Sequence, residues 1–334
     1  MIWKAGWRRF KKKPIAVWCL GVVCAFMLMI TLTLTGLLAS KWQNEVGVPD
    51  ANPTFLGKPT QADGIQVDKQ QGKQYDISAV DPLAPRYAEW QERASKLKVN
   101  DSIKADTLVF GGDRIGRDVL SKVIKGTEIS IFVGLGAALL ATLIGTVLGA
   151  TSGFFGGKIG DGLEWVYNVF TSIPSILLIF AFAAVFGRGI STIVIILGLT
   201  GWTGVYRLVR AEYIKHRSRE YVKAAETIGV SKSSQMFRHI LPNVSHVILV
   251  QLSILVVAFI KSEVILSYLG LGVPIDSVSW GTMLAEAQSE LLRGKWWQLV
   301  AATGFMAVFV TAFSLMTDAM RDALDPKLLD DKSK

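Results

Sequence analysis

Cysteine is nearly absent from this chain: Cys19 and Cys24 are its only two, and both sit inside the first long apolar run. None lies in the polar stretch that follows, which excludes a disulfide framework there. Histidine is almost as sparse. His216, His239 and His246 belong to one basic loop or its exit, and no Cys or acidic cluster gives them metal-ligand spacing. The phosphate-binding pattern G-x-x-x-x-G-K-[ST] is also missing, because Gly157-Lys158 is followed by Ile159 and preceded five residues earlier by Ser152. These absences argue against an enzyme. The chain is expected to bind no cofactor or metal, and if ATP drives it, the nucleotide and its Mg belong to another polypeptide.

Charge is scarce in a further sense, for long stretches carry none. Apolar residues make up 51% of the 334, too many for an ordinary soluble domain of this length. Crossing a hydrocarbon core of about 30 Å takes roughly 20 helical residues. Runs near 15–38, 129–152, 164–187, 190–210, 246–269 and 296–317 meet that length with few charges. The fold class predicted is therefore an all-α polytopic membrane protein of six transmembrane helices.

The first run follows the basic segment Trp3-Lys4-Ala5-Gly6-Trp7-Arg8-Arg9-Phe10-Lys11-Lys12-Lys13. It exceeds the roughly 7–15 apolar residues of a signal-peptide core, and Leu37-Leu38-Ala39 is a poor cleavage site, so it reads as a permanent helix. Basic residues flanking short loops stay in the cytoplasm, which places the N-terminus inside. Six spans return the C-terminus to the same side, together with the 211–245 loop; the loop and the end of the span before it carry Arg207, Arg210, Lys215, Arg217, Arg219, Lys223, Lys232 and Arg238. The formal charge of +9 is then membrane topology rather than a nucleic-acid footprint.

Residues 40–127 differ in kind, being polar, mixed in charge and punctuated by Pro49, Pro53, Pro59, Pro82 and Pro85. They read as an external insertion without the makings of a folded domain. A short helix is expected through 86–99 and an irregular or hairpin-like loop around QADGIQVDKQQGKQYD. At its end, Asp113 with Arg117 and Arg114 with Asp118 are spaced as i,i+4 pairs that would fix an interfacial helix.

The 211–245 loop holds the most informative stretch, YVKAAETIGVSKSSQMFRHILPN. Tyr221, Ala224, Ala225 and Ile228 fall at i, i+3, i+4 and i+7, while Glu220, Lys223 and Glu226 occupy the other sides. Gly229 suits the left-handed conformation that closes a helix, and Ser231 can cap a second one running through Met236, Phe237, Ile240 and Leu241 until Pro242. Such an amphipathic hairpin between two spans is shaped to couple to something outside the membrane.

This stretch resembles the cytoplasmic "EAA" loop of permease subunits of type I ATP-binding cassette importers, whose pattern is Glu-Ala-Ala, three residues, Gly, nine residues and Ile-x-Leu-Pro. Ala224-Ala225, Gly229, Leu241 and Pro242 match in spacing, whereas Lys223 stands for the Glu and His239 for the Ile. Gly112-Asp113-Arg114-Ile115-Gly116-Arg117-Asp118-Val119-Leu120-Ser121, Ser267-Tyr268-Leu269-Gly270-Leu271-Gly272, Ser279-Trp280-Gly281 and Arg321-Asp322-Ala323-Leu324-Asp325-Pro326 are similar to segments of the C-type subunits of dipeptide and oligopeptide permeases. The resemblance runs from Trp7 to Pro326 and leaves 41–105 without a matching motif.

What the resemblance implies is a type I importer transmembrane fold in a bacterial inner membrane. Its partners would be a homologous second permease, two ATPase subunits and an extracytoplasmic peptide-binding protein. Coupling would fall to Glu220, Tyr221, Lys223, Ala224, Ala225, Glu226, Ile228, Gly229, Leu241 and Pro242. The expected organisation is 1–38 as basic N-terminus and first helix, 39–127 as insertion, 128–318 as a five-helix core and 319–334 as a cytoplasmic tail. Lys261 and Glu263, the ionisable residues set inside a span, are candidates for an outer gate or pathway. Gly145-x-x-x-Gly149 and Gly153 read as helix-packing positions, and Pro174 as a kink in the third span. The competing function is an ion-coupled secondary carrier, against which stand the lack of an internal repeat and the nearly uncharged middle of the spans. Within the importer reading, nickel or glutathione are alternative cargoes to peptides.

Overall fold

A computed structural model describes residues 2–58, 82, 84–96 and 104–324. It divides into two compact units: 44–118, and the remainder, made of 1–43 with 119–334.

The described residues of the larger unit form helices joined by turns and loops. Its elements are α1 (Ile2–Lys11), α2 (Pro14–Leu34), α4 (Val119–Phe155), α5 (Gly157–Thr171), α6 (Ser175–Phe186), α7 (Ile190–Thr200), α8 (Trp202–Arg217), α9 (Glu220–Thr227), α10 (Lys232–Ser234), α11 (Leu241–Tyr268), α12 (Trp280–Leu291) and α13 (Trp297–Leu324), with α3 (Tyr87–Lys96) in the smaller unit. Among the described residues five helices are long and apolar enough to cross a membrane. A sixth crossing is complete if α5 and α6 are counted as one span, bent by 81°.

That bend is the kink expected at Pro174 within the 164–187 run. Pro174 cannot donate to the helix, so α5 stops before it and α6 starts after it. The carbonyls left over at the break are taken by side chains: the Thr171 hydroxyl donates to Tyr167 O at 3.0 Å and that of Ser172 to Val169 O at 2.8 Å. Both hydroxyls precede the proline; beyond it, the N–H groups of Leu177 and Leu178 return to Pro174 O at 3.0 and 3.2 Å.

Helix α4 is the axis of the unit, packing against α2, α5, α7, α8, α11, α12 and α13. It begins ten residues before the predicted start of the second span, at Val119, because the charges in its first turns are matched rather than left to water. Lys122 is fully buried and pairs with Glu286 and, at 3.2 Å, with Gln298; Lys125 pairs with Glu128 at 2.8 Å. The C-terminal half of α4 carries Gly145, Gly149 and Gly153 along one face, and α8 presses against them. A methyl group on each would come within 2.6–2.7 Å of the carbonyls of Trp202, Tyr206 and Arg210, so the two backbones are in direct contact. Polar groups fasten the same seam: the Tyr206 hydroxyl donates to Ser152 at 2.9 Å, and Arg210 reaches Ser152 at 3.1 Å and Glu164 at 2.9 Å.

Helix α1, the start of α2 and the end of α13 meet at one end of the bundle. Phe10 of α1 and Ala16 of α2 are buried with Ala319 and Ala323 of α13, and Lys13 pairs with Asp322 at 2.7 Å.

The smaller unit is compact, where composition suggested an insertion without a folded domain. Strands β1 (Gly47–Pro53) and β2 (Ala105–Leu108) form a two-stranded parallel sheet, with Gly47 opposite Ala105 and Pro53 opposite Leu108. Asp113 does pair with Arg117, at 2.6 Å, but in a turn and not an interfacial helix. Its carboxylate also accepts the backbone N–H groups of Ile115 at 3.1 Å and Arg117 at 2.9 Å, with Gly116 at φ +89 completing the reversal. Helix α3 falls within the expected 86–99, whereas QADGIQVDKQQGKQYD lies outside the described residues, as does the tail beyond Leu324.

Candidate functional site

Two sites emerge at opposite ends of α11. The first is the α8–α11 hairpin. Helix α9 closes at Gly229, whose φ of +80 is the left-handed conformation expected there. The N–H of Val230 returns to Ala225 O and that of Gly229 to Glu226 O, both at 3.0 Å, so the last carbonyls of α9 are satisfied by a Schellman turn. A side chain at Gly229 would meet open space; the constraint is backbone alone.

The turn fixes which side of α9 looks outward, and here the sequence reading is corrected. Ala225 is buried together with Val222, not presented with Ala224 as a flat face. The periodicity was blind to this because Val222 and Ala225 form a second apolar pair, and they are the pair that meets the body. Tyr221, Ala224 and Ile228 stay exposed, Ile228 by 80%, along with Glu220, Lys223 and Glu226, which make no ion pair among the described residues. The result is an exposed isoleucine ringed by charged side chains. Tyr221 is anchored at its tip by His216, 2.8 Å from its hydroxyl, and partial burial raises its pKa above the usual phenol value.

The second arm of the hairpin does not stop at Pro242. The helix continues from Lys232 to Tyr268, with a π-helical turn over Gln235–Ile240 just before the proline. Widening the helix there accommodates a residue without an N–H, and neighbours take the polar groups it displaces. The Tyr213 hydroxyl of α8 donates to Met236 O at 3.1 Å, Gln235 donates to Val230 O at 2.7 Å, and Asn243 to His239 O at 2.7 Å. Leu241 is half-buried and Pro242 exposed. Tyr213 and Gln235 were not singled out from sequence; a tyrosine and a glutamine in otherwise apolar helical faces were the available signal.

At the other end of α11, Lys261 and Glu263 part company. Lys261 is exposed, while Glu263 is completely buried. The Ser130 hydroxyl donates to one carboxyl oxygen of Glu263 at 2.8 Å and the Ser267 hydroxyl to the other at 2.7 Å. Each serine oxygen in turn accepts a backbone N–H, Ser130 from Trp280 and Ser267 from Val273, both at 3.2 Å. Glu263 is enclosed among the described residues, where it is the centre of a polar staple joining α4, α11 and the start of α12. The motif Ser267–Gly272 supplies the Schellman end of α11 at Gly270, and Ser279-Trp280-Gly281 supplies the capping box of α12, so two separate sequence motifs serve one cluster.

Comparison with known proteins places the chain in a family. Residues 145–330 match the family described as the binding-protein-dependent transport system inner membrane component. The chain belongs to this family. The permease is 36% identical over 246 residues to the oligopeptide transport system permease protein of Bacillus subtilis (strain 168), covering 74% of this chain and 80% of that one. It is 37% identical over 219 residues to the dipeptide transport system permease protein of the same organism, covering 66% and 68%. With the dipeptide transport system permease protein of Lactococcus lactis the identity is 30% over 326 residues, 97% of this chain and 90% of the relative, so that likeness runs through the insertion as well. The family match takes in the whole α8–α11 hairpin and Glu263 but begins after Ser130 and Lys122. The permease is a multi-pass membrane protein and a subunit of a transport system.

Proposed function

We propose that this permease is one of two homologous membrane subunits of an ATP-driven importer of short peptides in a bacterial inner membrane. An extracytoplasmic binding protein delivers the peptide to a pore shared by the two subunits, and two separate ATPase chains hold ATP and Mg. The supporting observation is the hairpin itself: a short helix closed by a Schellman turn, projecting Ile228 among charges without ion-pair partners among the described residues, and tied to two long spans. A nucleotide-driven closure of the ATPases pulls on α9; the Tyr213–Met236 and His216–Tyr221 contacts pass that displacement to α8 and α11, and the α4–α8 seam carries it into the bundle. The peptide cargo is carried over from the names of the relatives.

Gly229 tests the coupling role. Valine at φ +80 is strongly disfavoured, yet its side chain has room, so Gly229→Val disturbs the turn without a clash inside the permease. Uptake of a labelled dipeptide is expected to fall at least tenfold and the ATPases to stop co-purifying, while Gly229→Asn, which tolerates the left-handed region, retains both. Normal uptake and co-purification for Gly229→Val would overturn the assignment.

A further inference from the structure

The seam between α2 and α13 has a feature that coupling leaves unused. On α13, Gly304, Val308, Thr311, Leu315, Asp318 and Asp322 are all exposed and recur at helical spacing, forming one continuous stripe. On α2, Ile15, Trp18, Val22, Ala25 and Met29 form the matching stripe, Trp18 being largely exposed. Two cavities lie on this seam. One, of about 400 Å³, is bounded by Lys12, Lys13, Ile15, Leu315, Asp318 and Asp322. The other, of about 320 Å³, is bounded by Ala25, Phe26, Met29, Gly304, Phe305 and Val308.

The charged cavity sits at the end of the bundle where the start of α2 meets the end of α13, and the second is wholly apolar in its side chains. Ile15 to Ala25 and Leu315 to Phe305 are each ten residues, about 15 Å of helix, which is the depth of one leaflet of a hydrocarbon core roughly 30 Å thick. The charges at the mouth balance. Lys13 and Asp322 are paired with each other, which leaves Lys12 and Asp318, one cation and one anion, without ion-pair partners among the described residues.

From this geometry we infer a binding site for a single zwitterionic aminophospholipid. Its phosphate sits against Lys12, its ammonium against Asp318, and one acyl chain runs along the α2–α13 seam to Gly304. An anionic headgroup without an amine satisfies Lys12 but meets the Asp318 carboxylate; a zwitterion satisfies both. The site is independent of the cargo and of ATPase docking, and it requires only that α2 and α13 span the bilayer.

Native mass spectrometry of the full chain, titrated with phosphatidylethanolamine and phosphatidylglycerol of identical acyl chains, tests it. The wild type is expected to retain phosphatidylethanolamine at least fivefold more strongly. Asp318→Lys should reverse that preference. Gly304→Phe, whose side chain enters open space, should weaken both lipids at least fivefold by filling the apolar end without disturbing the fold. Equal or stronger retention of phosphatidylglycerol by the wild type would overturn the inference. So would unchanged retention in both variants, or a cross-link from Val308→Cys to a second permease chain seated in the seam.

Discussion

Replacing Gly149 by alanine should loosen the permease, and replacing Gly304 by alanine should not. Both glycines lie inside long helices, so both substitutions gain the same helix propensity, about 1 kcal/mol in water and less where the unfolded reference is already helical. Their surroundings differ completely. A Cβ at Gly149 would lie 2.7 Å from Tyr206 O, 3.1 Å from the Cβ of Val209 and 3.2 Å from Arg210 N, whereas at Gly304 nothing lies within 4 Å. A carbon and a carbonyl oxygen rest more than half an ångström further apart than 2.7 Å, so α4 and α8 must separate by about that much. Overpacking of this kind costs roughly 1–3 kcal/mol. Gly149→Ala should therefore lose about 1–3 kcal/mol relative to Gly304→Ala, since the propensity gain is common to both and cancels in the comparison. Gly145 and Gly153 press on the same seam, against Trp202 O and Arg210 O, so the triple alanine variant should cost less than the three singles summed: once the helices have parted for one methyl, the others find room. The assay is thermal unfolding of the purified permease followed by size-exclusion fluorescence, with dipeptide uptake measured in parallel. Because α8 leads directly to α9, uptake in Gly149→Ala should fall more than the amount of folded protein does. Equal melting temperatures for Gly149→Ala and Gly304→Ala would refute the backbone-contact account.

Two other expectations concern the hairpin and the staple. Glu263→Ala strands the Ser130 and Ser267 hydroxyls and opens a cavity, costing about 2–4 kcal/mol, while Glu263→Gln keeps one acceptor and costs about half as much; equal melting of the two variants would contradict the staple. Tyr221→Phe removes the His216 contact for about 1 kcal/mol. Since the phenol pKa is raised in the fold, the stability it carries is fully present below its ordinary value of 10.0 and is lost only at higher pH; a difference between Tyr221→Phe and wild type that changes between pH 6 and 9 would not be due to this phenol.

Much of this architecture was readable before any coordinates, and the exceptions have physical causes. The apolar runs marked the spans because a bilayer demands about 20 apolar residues wherever a helix crosses it. The glycine at 229 marked its turn because few other residues accept that backbone. What periodicity could not supply was partnership at a distance. Lys122 is buried because Glu286, 164 positions later, comes to meet it, and that pairing lets α4 start at 119 rather than 129. Ala225 looked like half of a docking face until Val222 drew it inward. The strands at 47–53 and 105–108 find each other across a polar stretch in which no alternation announces a sheet. Pro242 reads as a stop, yet a π-helical turn and the hydroxyl of Tyr213 carry the helix through it.

The central claim is that α9 docks on an ATPase, and Ile228 offers the most direct measurement. A photo-reactive phenylalanine analogue placed there, at the most exposed apolar position of the hairpin, should cross-link to an ATPase subunit in membranes holding the assembled transporter. The yield should change between nucleotide-free and ATP-bound states. Cross-linking only to lipid or to the binding protein, with no ATPase adduct in either state, would contradict the account.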